Sequence, residues 1–262
     1  MAKGPLDRIE GLLVDLDGVL YVGEQIIEGA AESILRLKDK GIPLRFTTNT
    51  TVLSTDSLLR KLRSLGLPID RAEVFGAIRA AAAYLRRHGD PKCHLLLTDD
   101  PKRDFAEFPE SQVDPRFVVV GDLCKSWDYN VMHKAFMMIM GGAEMVALHK
   151  GRYWQTEQGL RMDIGAFVAG LEYVTGKAAT VIGKPSRSFF DLARSDMGLP
   201  ADRVAMVGDD IDSDVGGAQA AGMVGILVKT GKYREEFVAN SVVKPDLVIE
   251  SIAELPDVLA VD

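Results

Sequence analysis

The sequence predicts an α/β fold with a parallel sheet and a second domain inserted into the first. Short apolar runs alternate with helix-like stretches along the 262 residues, and most of these runs are continuous rather than alternating. Continuous apolar runs are typical of parallel strands buried on both faces. The pattern starts afresh near Asp90-Pro91, so we expect residues 90–179 to form a separate domain between 1–89 and 180–262.

The elements follow in order along the chain. Gly11 to Val14 is an apolar run that ends at Asp15, and Ser54 is a plausible N-cap for a helix that stops at Gly66. Strands are predicted at 11–14, 43–47, 94–97, 117–120, 145–148, 180–182, 204–207, 224–228 and 247–249. Helices are predicted at about 29–40, 54–65, 77–88, 129–140, 166–175 and 186–197.

Composition narrows the classes of partner. The net charge is −7 and the isoelectric point is about 5.2, so nucleic acid and anionic membrane surfaces are not expected partners. Cys93 and Cys124 lack zinc-ligand spacing, and a chain of this size needs no disulfides. Met1 to Ile9 lacks the apolar segment of a signal peptide. We therefore expect a cytoplasmic protein.

Two carboxylates follow the first strand. Asp15 and Asp17 are two residues apart, which on an extended segment places both side chains on one side, and Gly18 lets the chain turn away. Such a pair suits a nucleophile beside an acid/base group, or a metal site. An acidic loop without chemistry is the alternative.

Polar and basic residues follow two further predicted strands. Thr47 to Thr51, which includes Thr48, Asn49 and Thr50, offers hydroxyl, amide and backbone donors for phosphate oxygens, or a turn that caps itself. Lys184 lies between Gly183 and Pro185, where it is either a positioned charge for a phosphate or an ordinary surface lysine.

A second acidic segment follows the strand at 204–207. It contains Asp209, Asp210, Asp212 and Asp214. In open α/β sheets ligands bind at the carboxyl ends of strands, so Asp15, Asp17 and Asp209 are expected to meet there. Like charges 4 Å apart repel by about 4 kcal/mol at an effective dielectric near 20, so these carboxylates need a cation or shifted pKa values. Oxygen ligands alone favour Mg²⁺.

The order of these motifs resembles the haloacid dehalogenase superfamily of phosphohydrolases. The DxDG, Thr-Asn, Gly-Lys-Pro and Gly-Asp-Asp segments occur in the same order along this chain. The insertion between the second and third segments resembles a type II, subclass A cap. Within the superfamily, the chain is similar to the branch of phospholysine phosphohistidine inorganic pyrophosphate phosphatase and hydrolase domain-containing protein 2. The resemblance implies a doubly wound, Rossmann-like catalytic core, with the inserted α/β cap selecting the substrate.

The resemblance also implies roles for individual residues. Asp15 would be the nucleophile that forms an aspartyl-phosphate, and Asp17 would be the general acid and then the base. Asp15, the backbone carbonyl of Asp17, and Asp209 would bind Mg²⁺. Thr48, Asn49, Thr50 and Lys184 would bind the phosphoryl group, while Asp210 and Asp214 would support the metal ligands. A small phosphorylated substrate is expected, and a homodimer formed through the caps would fit the family.

Three cap residues are weaker candidates. Arg161 and Asp163 either face the substrate or are surface charges, and the surface interpretation is favoured. Tyr153 either shapes a leaving-group pocket or anchors packing.

The residues leave other functions open. The same intermediate would serve a phosphotransferase or mutase, if an acceptor other than water took the phosphoryl group. A non-catalytic, Mg²⁺-binding phospho-acceptor module would explain the carboxylates and the lysine, but not the insertion or Asp17. A halide-releasing enzyme needs no metal, so the pair of Asp17 and Asp209 argues against it.

Overall fold

A computed structural model describes residues 6–156 and 159–259. These residues form two compact units. The first comprises the chain up to Thr48, Leu59–Phe75, and the segment from Lys184 onwards; the second comprises Asn49–Leu58 and Gly76–Gly183. Residues 1–5, to which part of the prediction for the N-terminus refers, lie outside the described residues, as do 157, 158 and 260–262.

The described residues form the following regular elements. The helices are α1 Ala30–Asp39, α2 Thr55–Ser64, α3 Ala77–Arg86, α4 Asp99–Lys102, α5 Tyr129–Met140, α6 Gly165–Thr175, α7 Arg187–Ser195, α8 Gly217–Ala220, α9 Glu235–Asn240 and α10 Leu255–Val258. The strands are β1 Gly11–Asp15, β2 Tyr21–Val22, β3 Gln25–Ile26, β4 Leu44–Thr48, β5 Val74–Gly76, β6 Cys93–Leu96, β7 Phe117–Val120, β8 Glu144–Ala147, β9 Tyr153–Thr156, β10 Gly159–Met162, β11 Thr180–Val181, β12 Val204–Gly208, β13 Val224–Val228 and β14 Leu247–Ile249.

The first unit is built on a six-stranded sheet in the order β14-β13-β12-β1-β4-β5. Strand β1 pairs in parallel with β4 on one side and with β12 on the other. The chain moves outward from β1 through β4 to β5, and later from β12 outward to β14. The order therefore reverses between β1 and β12, which is where doubly wound sheets bind ligands.

Burial explains why the central strands are continuously apolar. Every residue of β1 and of β12 is buried, so alternation with polar residues would leave polar side chains in the core. The helix α7 contributes Phe189 and Phe190, both fully buried, and Phe189 packs edge-on against Phe75.

The second unit contains a four-stranded parallel sheet in the order β11-β8-β7-β6. Its strands and the helices α5 and α6 share one hydrophobic cluster, in which Val118, Ile139 and Leu171 are fully buried. A separate antiparallel hairpin is formed by β9 and β10.

The predicted fold class is confirmed, and most element boundaries agree within two residues. The sequence missed the short strand β5, the β2–β3 hairpin, the short helices α4, α8, α9 and α10, and the single π-helical turn at Ile211–Gly216. These segments have at most six residues, too few to show a period. The assignment of 90–179 as a cap on a core of 1–89 and 180–262 stays a prediction.

Among the residues that the structure describes, no helix combines the length and apolarity needed to cross a bilayer.

Candidate active site

Three neighbouring strands of the first unit end in polar residues at the same edge of the sheet. Asp15 is the last residue of β1 and is in register with Thr47 of β4. Val14 is in register with Val207 of β12, and β12 ends at Gly208. Asp209 is the next residue, so it lies at the same edge of the sheet as Asp15. The parallel register therefore brings the DxDG segment, the end of β4 and the Gly-Asp-Asp segment together, as the sequence predicted.

Lys184 forms ion pairs with two of these carboxylates. Its Nζ lies 2.5 Å from Asp15 Oδ1 and 2.8 Å from Asp214 Oδ1. It also donates to Thr47 Oγ1 at 3.4 Å. The side chain of Lys184 is 3% exposed, so the ordinary surface lysine considered from the sequence is wrong. Lys184 is a buried counter-charge held between two acids.

Asp209 is enclosed by two glycines. A Cβ on Gly18, whose φ is +90°, would lie 1.9 Å from Asp209 Oδ2, and one on Gly231 would lie 2.1 Å from it. The same oxygen accepts the backbone N–H of Lys232 at 2.7 Å. Thr230 ties the two loops together by donating its hydroxyl to the carbonyl of Gly18. The glycines therefore let two backbones approach this carboxylate closely.

Asp210 and Asp214 organise the turn after β12. The carboxylate of Asp210 accepts backbone N–H groups from Asp212 at 3.1 Å and Ser213 at 3.0 Å. Asp214 Oδ2 accepts the N–H of Asp210 at 3.2 Å. Asp210 therefore caps the turn, while Asp214 connects that turn to Lys184. The supporting position predicted for Asp214 agrees with this arrangement, although its role stays a prediction.

Burial and repulsion shape the charges of the site. Desolvation raises the pKa values of Asp15 and Asp209 above the usual range for aspartate, and repulsion between these two carboxylates adds to the increase at Asp209. Burial also raises the pKa of Asp214, to about 6, against the opposing effect of Lys184. Burial alone would lower the pKa of Lys184, but attraction to Asp15 and Asp214 raises it overall.

The site fits a hard divalent cation. Asp15, Asp209 and Asp214 each offer an oxygen, and these oxygens lie within 4.8 Å of one another. The loops also carry Asp17 and Asp210, so five carboxylates face the three lysines that act on them, Lys184, Lys232 and Lys61. Two negative charges are then left without a matching lysine. An all-oxygen donor set with excess negative charge is suited to Mg²⁺.

Asp17 lies at the exposed side of the same loop. Asp17 is exposed to solvent. Surrounding protein atoms nevertheless remove part of the water around its carboxyl group, which raises its pKa. Lys61, Lys232 and Lys184 oppose that increase, and Lys61 has the largest effect of the three. Asp17 and Asp15 therefore share a loop but differ in exposure.

The phosphate-binding candidates divide between the two units. Thr48 ends β4 in the first unit and is 3% exposed. Asn49 and Thr50 belong to the second unit, where Asn49 Oδ1 lies 2.5 Å from the position of a Cβ on Gly183. The predicted phosphate contacts of these three residues remain predictions.

Two of the three cap candidates lie on the β9–β10 hairpin. Arg161 is exposed on β10, while Tyr153 on β9 is partly buried. Asp163, just beyond β10, is not the ordinary surface charge that the sequence favoured. Its side chain is 14% exposed, its Oδ1 accepts the N–H of Ile164 at 2.7 Å, and buried His149 lies 3.8 Å away. Its local partners explain the burial, and a role in substrate binding stays a prediction.

Two lysines near the site, Lys61 and Lys232, were not predicted from the sequence. Lys232 lies in the loop after β13, and its Nζ is 3.5 Å from Asp210 Oδ2. The rule that ligand-binding residues follow strand ends would have found it. Lys61 lies within α2, where a lysine is ordinarily a surface residue, so no pattern in the sequence distinguishes it.

Comparisons with known proteins agree with this geometry. Residues 12–108 match the family described as haloacid dehalogenase-like hydrolase, and 181–255 match the HAD-hydrolase-like family. Haloacid dehalogenase-like hydrolase domain-containing protein 2 of Homo sapiens is 39% identical over 95% of each chain. Phospholysine phosphohistidine inorganic pyrophosphate phosphatase of Danio rerio is 37% identical, over 97% of this chain and 95% of that protein.

A solved structure of a phosphatase is also similar to this chain. The 4-nitrophenylphosphatase of Thermotoga maritima superposes with a TM-score of 0.91 and 32% identity, covering 97% of this chain and 99% of the other. Fold, site and relatives thus define a hydrolase that acts on phosphoric ester bonds. The chain belongs to the haloacid dehalogenase-like hydrolase family, which confirms the resemblance seen in its motifs.

Proposed function

We propose that this phosphatase is Mg²⁺-dependent, hydrolyses a small phosphorylated metabolite, and does so through an aspartyl-phosphate on Asp15. The observation that carries the proposal is the placement of Asp15. Its carboxylate ends the central strand, is ion-paired to Lys184 at 2.5 Å, and lies within 4.8 Å of oxygens of Asp209 and Asp214.

In the first step, an oxygen of Asp15 attacks phosphorus, and the bond between phosphorus and the leaving oxygen breaks. Asp17 gives its proton to that leaving oxygen. Partial desolvation raises the pKa of Asp17, which favours the protonated form that an acid needs. Lys184 balances charge beside the nucleophile, and Thr48, Asn49 and Thr50 are the proposed donors to the phosphoryl oxygens.

In the second step, Asp17 acts as a base. Its carboxylate takes a proton from water, and the water oxygen attacks phosphorus. The bond between phosphorus and Asp15 breaks, which releases inorganic phosphate and restores the Asp15 carboxylate. Transfer to an acceptor other than water would use the same first step, with the acceptor in place of water.

Asp15, Asp209 and the backbone carbonyl of Asp17 are the proposed Mg²⁺ ligands, with Asp210 and Asp214 supporting them. The bound ion supplies positive charge that offsets the charge on the phosphoryl oxygens and on the clustered carboxylates. Residues 90–179 are the proposed cap that selects the substrate.

Hydrolysis of p-nitrophenyl phosphate tests this proposal. Asp15→Asn is expected to lose at least about 10³-fold in kcat because an amide is a poor nucleophile. Asp212→Asn is the matched control because Asp212 is an exposed acid on the adjacent turn. Chelation should abolish wild-type activity, and Mg²⁺ should restore it. Full turnover by Asp15→Asn, or activity indifferent to chelator, would contradict the proposal.

A further inference from the structure

Lys61 is a cation at the edge of the catalytic loop that the reaction above does not use. Its Nζ lies 4.5 Å from the ring centroid of Tyr21 and 3.4 Å from Glu24 Oε1. Tyr21 and Glu24 belong to the β2–β3 hairpin, which directly follows Asp17 and Gly18. Tyr21 is 2% exposed and its carbonyl accepts the N–H of Gly18 at 2.7 Å, so the ring beneath Lys61 is fixed to the catalytic loop.

The geometry places Lys61 next to the turn that carries Asp17. Asp17 and Tyr21 form an isolated backbone bridge, and the Nζ of Lys61 lies over the ring of Tyr21. Lys184 instead pairs with Asp15, at 2.5 Å. The two cations are therefore separated, with Lys184 beside the proposed nucleophile and Lys61 beside the segment of the residue that protonates the leaving oxygen.

The existing partner of Lys61 is a weak one. The side chain of Glu24 is 77% exposed, and ion pairs with such an exposed partner contribute little free energy. The side chain of Lys61 is 22% exposed, so it is partly accessible to solvent. A stronger or better-placed anion could replace the carboxylate of Glu24.

We propose that Lys61, held over Tyr21, is a specificity residue that binds a second anionic group on the leaving part of the substrate. The preferred substrates are then phosphate esters whose leaving group carries a carboxylate or another phosphate. This inference rests on the proposed function, because it takes Asp17 as the residue beside the leaving oxygen.

The test uses substrates that differ in one charge. These are ortho-, meta- and para-carboxyphenyl phosphates and the three matching, uncharged carbamoylphenyl phosphates, assayed with Mg²⁺. The wild type is expected to favour at least one carboxylate over its amide in kcat/KM. Lys61→Met should reduce that preference about tenfold, mainly through KM, which is the scale of one charge-assisted contact. Lys61→Arg should restore most of it.

Arg63→Met is the matched control, because it removes one positive charge from an exposed position on the same helix and should keep the preference. Three results would overturn the proposal: no preference in the wild type for any isomer, equal losses of preference in Lys61→Met and Arg63→Met, or an equal fall in kcat for both members of each pair. The last result would mean that Lys61 only supports the hairpin.

The two proposals fail differently. Mg²⁺-dependent hydrolysis with equal kcat/KM for charged and uncharged partners refutes the role of Lys61 alone. No hydrolysis of any pair by protein that turns over p-nitrophenyl phosphate also refutes the role of Lys61 alone. Hydrolysis that ignores Mg²⁺, or no hydrolysis of p-nitrophenyl phosphate, contradicts the proposed function and the inference built on it.

Discussion

At the scale of single residues, the site is arranged for charge rather than for stability. Asp15, Asp209 and Asp214 are each at most 7% exposed, yet all three are carboxylates. Burial raises their pKa values, so keeping them ionised at neutral pH costs free energy of folding. Lys184 offsets part of that cost, and a divalent cation would offset more.

Replacing Asp209 with asparagine should therefore stabilise the metal-free protein. Asp209→Asn removes one buried negative charge, and we expect the metal-free Tm to rise by about 3–6 °C, equivalent to about 1–2 kcal/mol. Differential scanning fluorimetry with chelator measures this change. Added Mg²⁺ should raise the Tm of the wild type but not of Asp209→Asn.

Asp212→Asn serves as the control here as well, since it removes an exposed charge from the same turn. Its Tm should stay within about 1 °C of the wild type and should still respond to Mg²⁺. A lower metal-free Tm for Asp209→Asn, or an equal response of all three proteins to Mg²⁺, would count against the charge argument.

The pH dependence of stability follows from Asp214. Its pKa is raised from 3.8 to about 6, so the folded protein takes up a proton below neutral pH before the unfolded chain does. Its contribution to the free energy of unfolding is then largest below the unfolded pKa and is lost as pH rises through about 6. Metal-free wild type should gain about 1–3 kcal/mol over Asp214→Asn between pH 7 and pH 4.5.

Urea unfolding at both pH values measures this difference with chelator present. Comparing the two proteins removes contributions that they share, such as that of buried His94, whose pKa is lowered mainly by burial. Identical pH slopes for wild type and Asp214→Asn would show that Asp214 is not a strained carboxylate.

At the scale of elements, the site depends on loops whose backbones can approach a carboxylate. The loops after β1, β12 and β13 meet around Asp209, and glycines stand at two of the contact points. At Gly18 the positive φ and the lack of room act together. Elsewhere a positive φ alone disfavours a side chain, as at Gly41 after α1, where no atom lies within 4 Å of the position of a Cβ.

Alanine substitutions at Gly18 and Gly41 should separate the effect of backbone strain from the effect of a clash with Asp209. Gly41→Ala adds backbone strain of about 1–2 kcal/mol in open space and should keep kcat within about twofold. Gly18→Ala adds a clash with Asp209 and should lose at least about 100-fold in kcat, together with the Tm response to Mg²⁺. Chemical denaturation and p-nitrophenyl phosphate assays measure both. Similar activity in the two variants would mean that the close approach to Asp209 is not needed.

At the scale of the whole molecule, topology explains why the motifs could be grouped from the sequence. Asp15, the Thr-Asn segment and Asp209 follow strongly apolar runs, and parallel strands place their carboxyl ends at one edge of a sheet. The strand order itself is a tertiary property, but the motif order resembles a family in which that order is known. Fold class and central site residues were therefore predictable.

The residues that escaped prediction depend on tertiary contacts. Lys61 is one of several basic residues on an amphipathic helix, and only the folded hairpin shows that Tyr21 lies beneath it. Asp163 is separated from its partner His149 by a hairpin, so the sequence could not reveal its burial. Strand β5 is three residues long and forms because a neighbouring strand is available.

The proposed mechanism is tested most directly by identifying the residue that becomes phosphorylated. Asp17→Asn retains Asp15 but lacks the base for the second step, and p-nitrophenolate needs little protonation to leave. Mixed with Mg²⁺ and p-nitrophenyl phosphate and then quenched in acid, this variant should carry one phosphoryl group on the peptide containing Asp15, as detected by mass spectrometry. No phosphoryl group on any peptide despite release of p-nitrophenolate, or a phosphoryl group on another residue, would contradict Asp15 as the nucleophile.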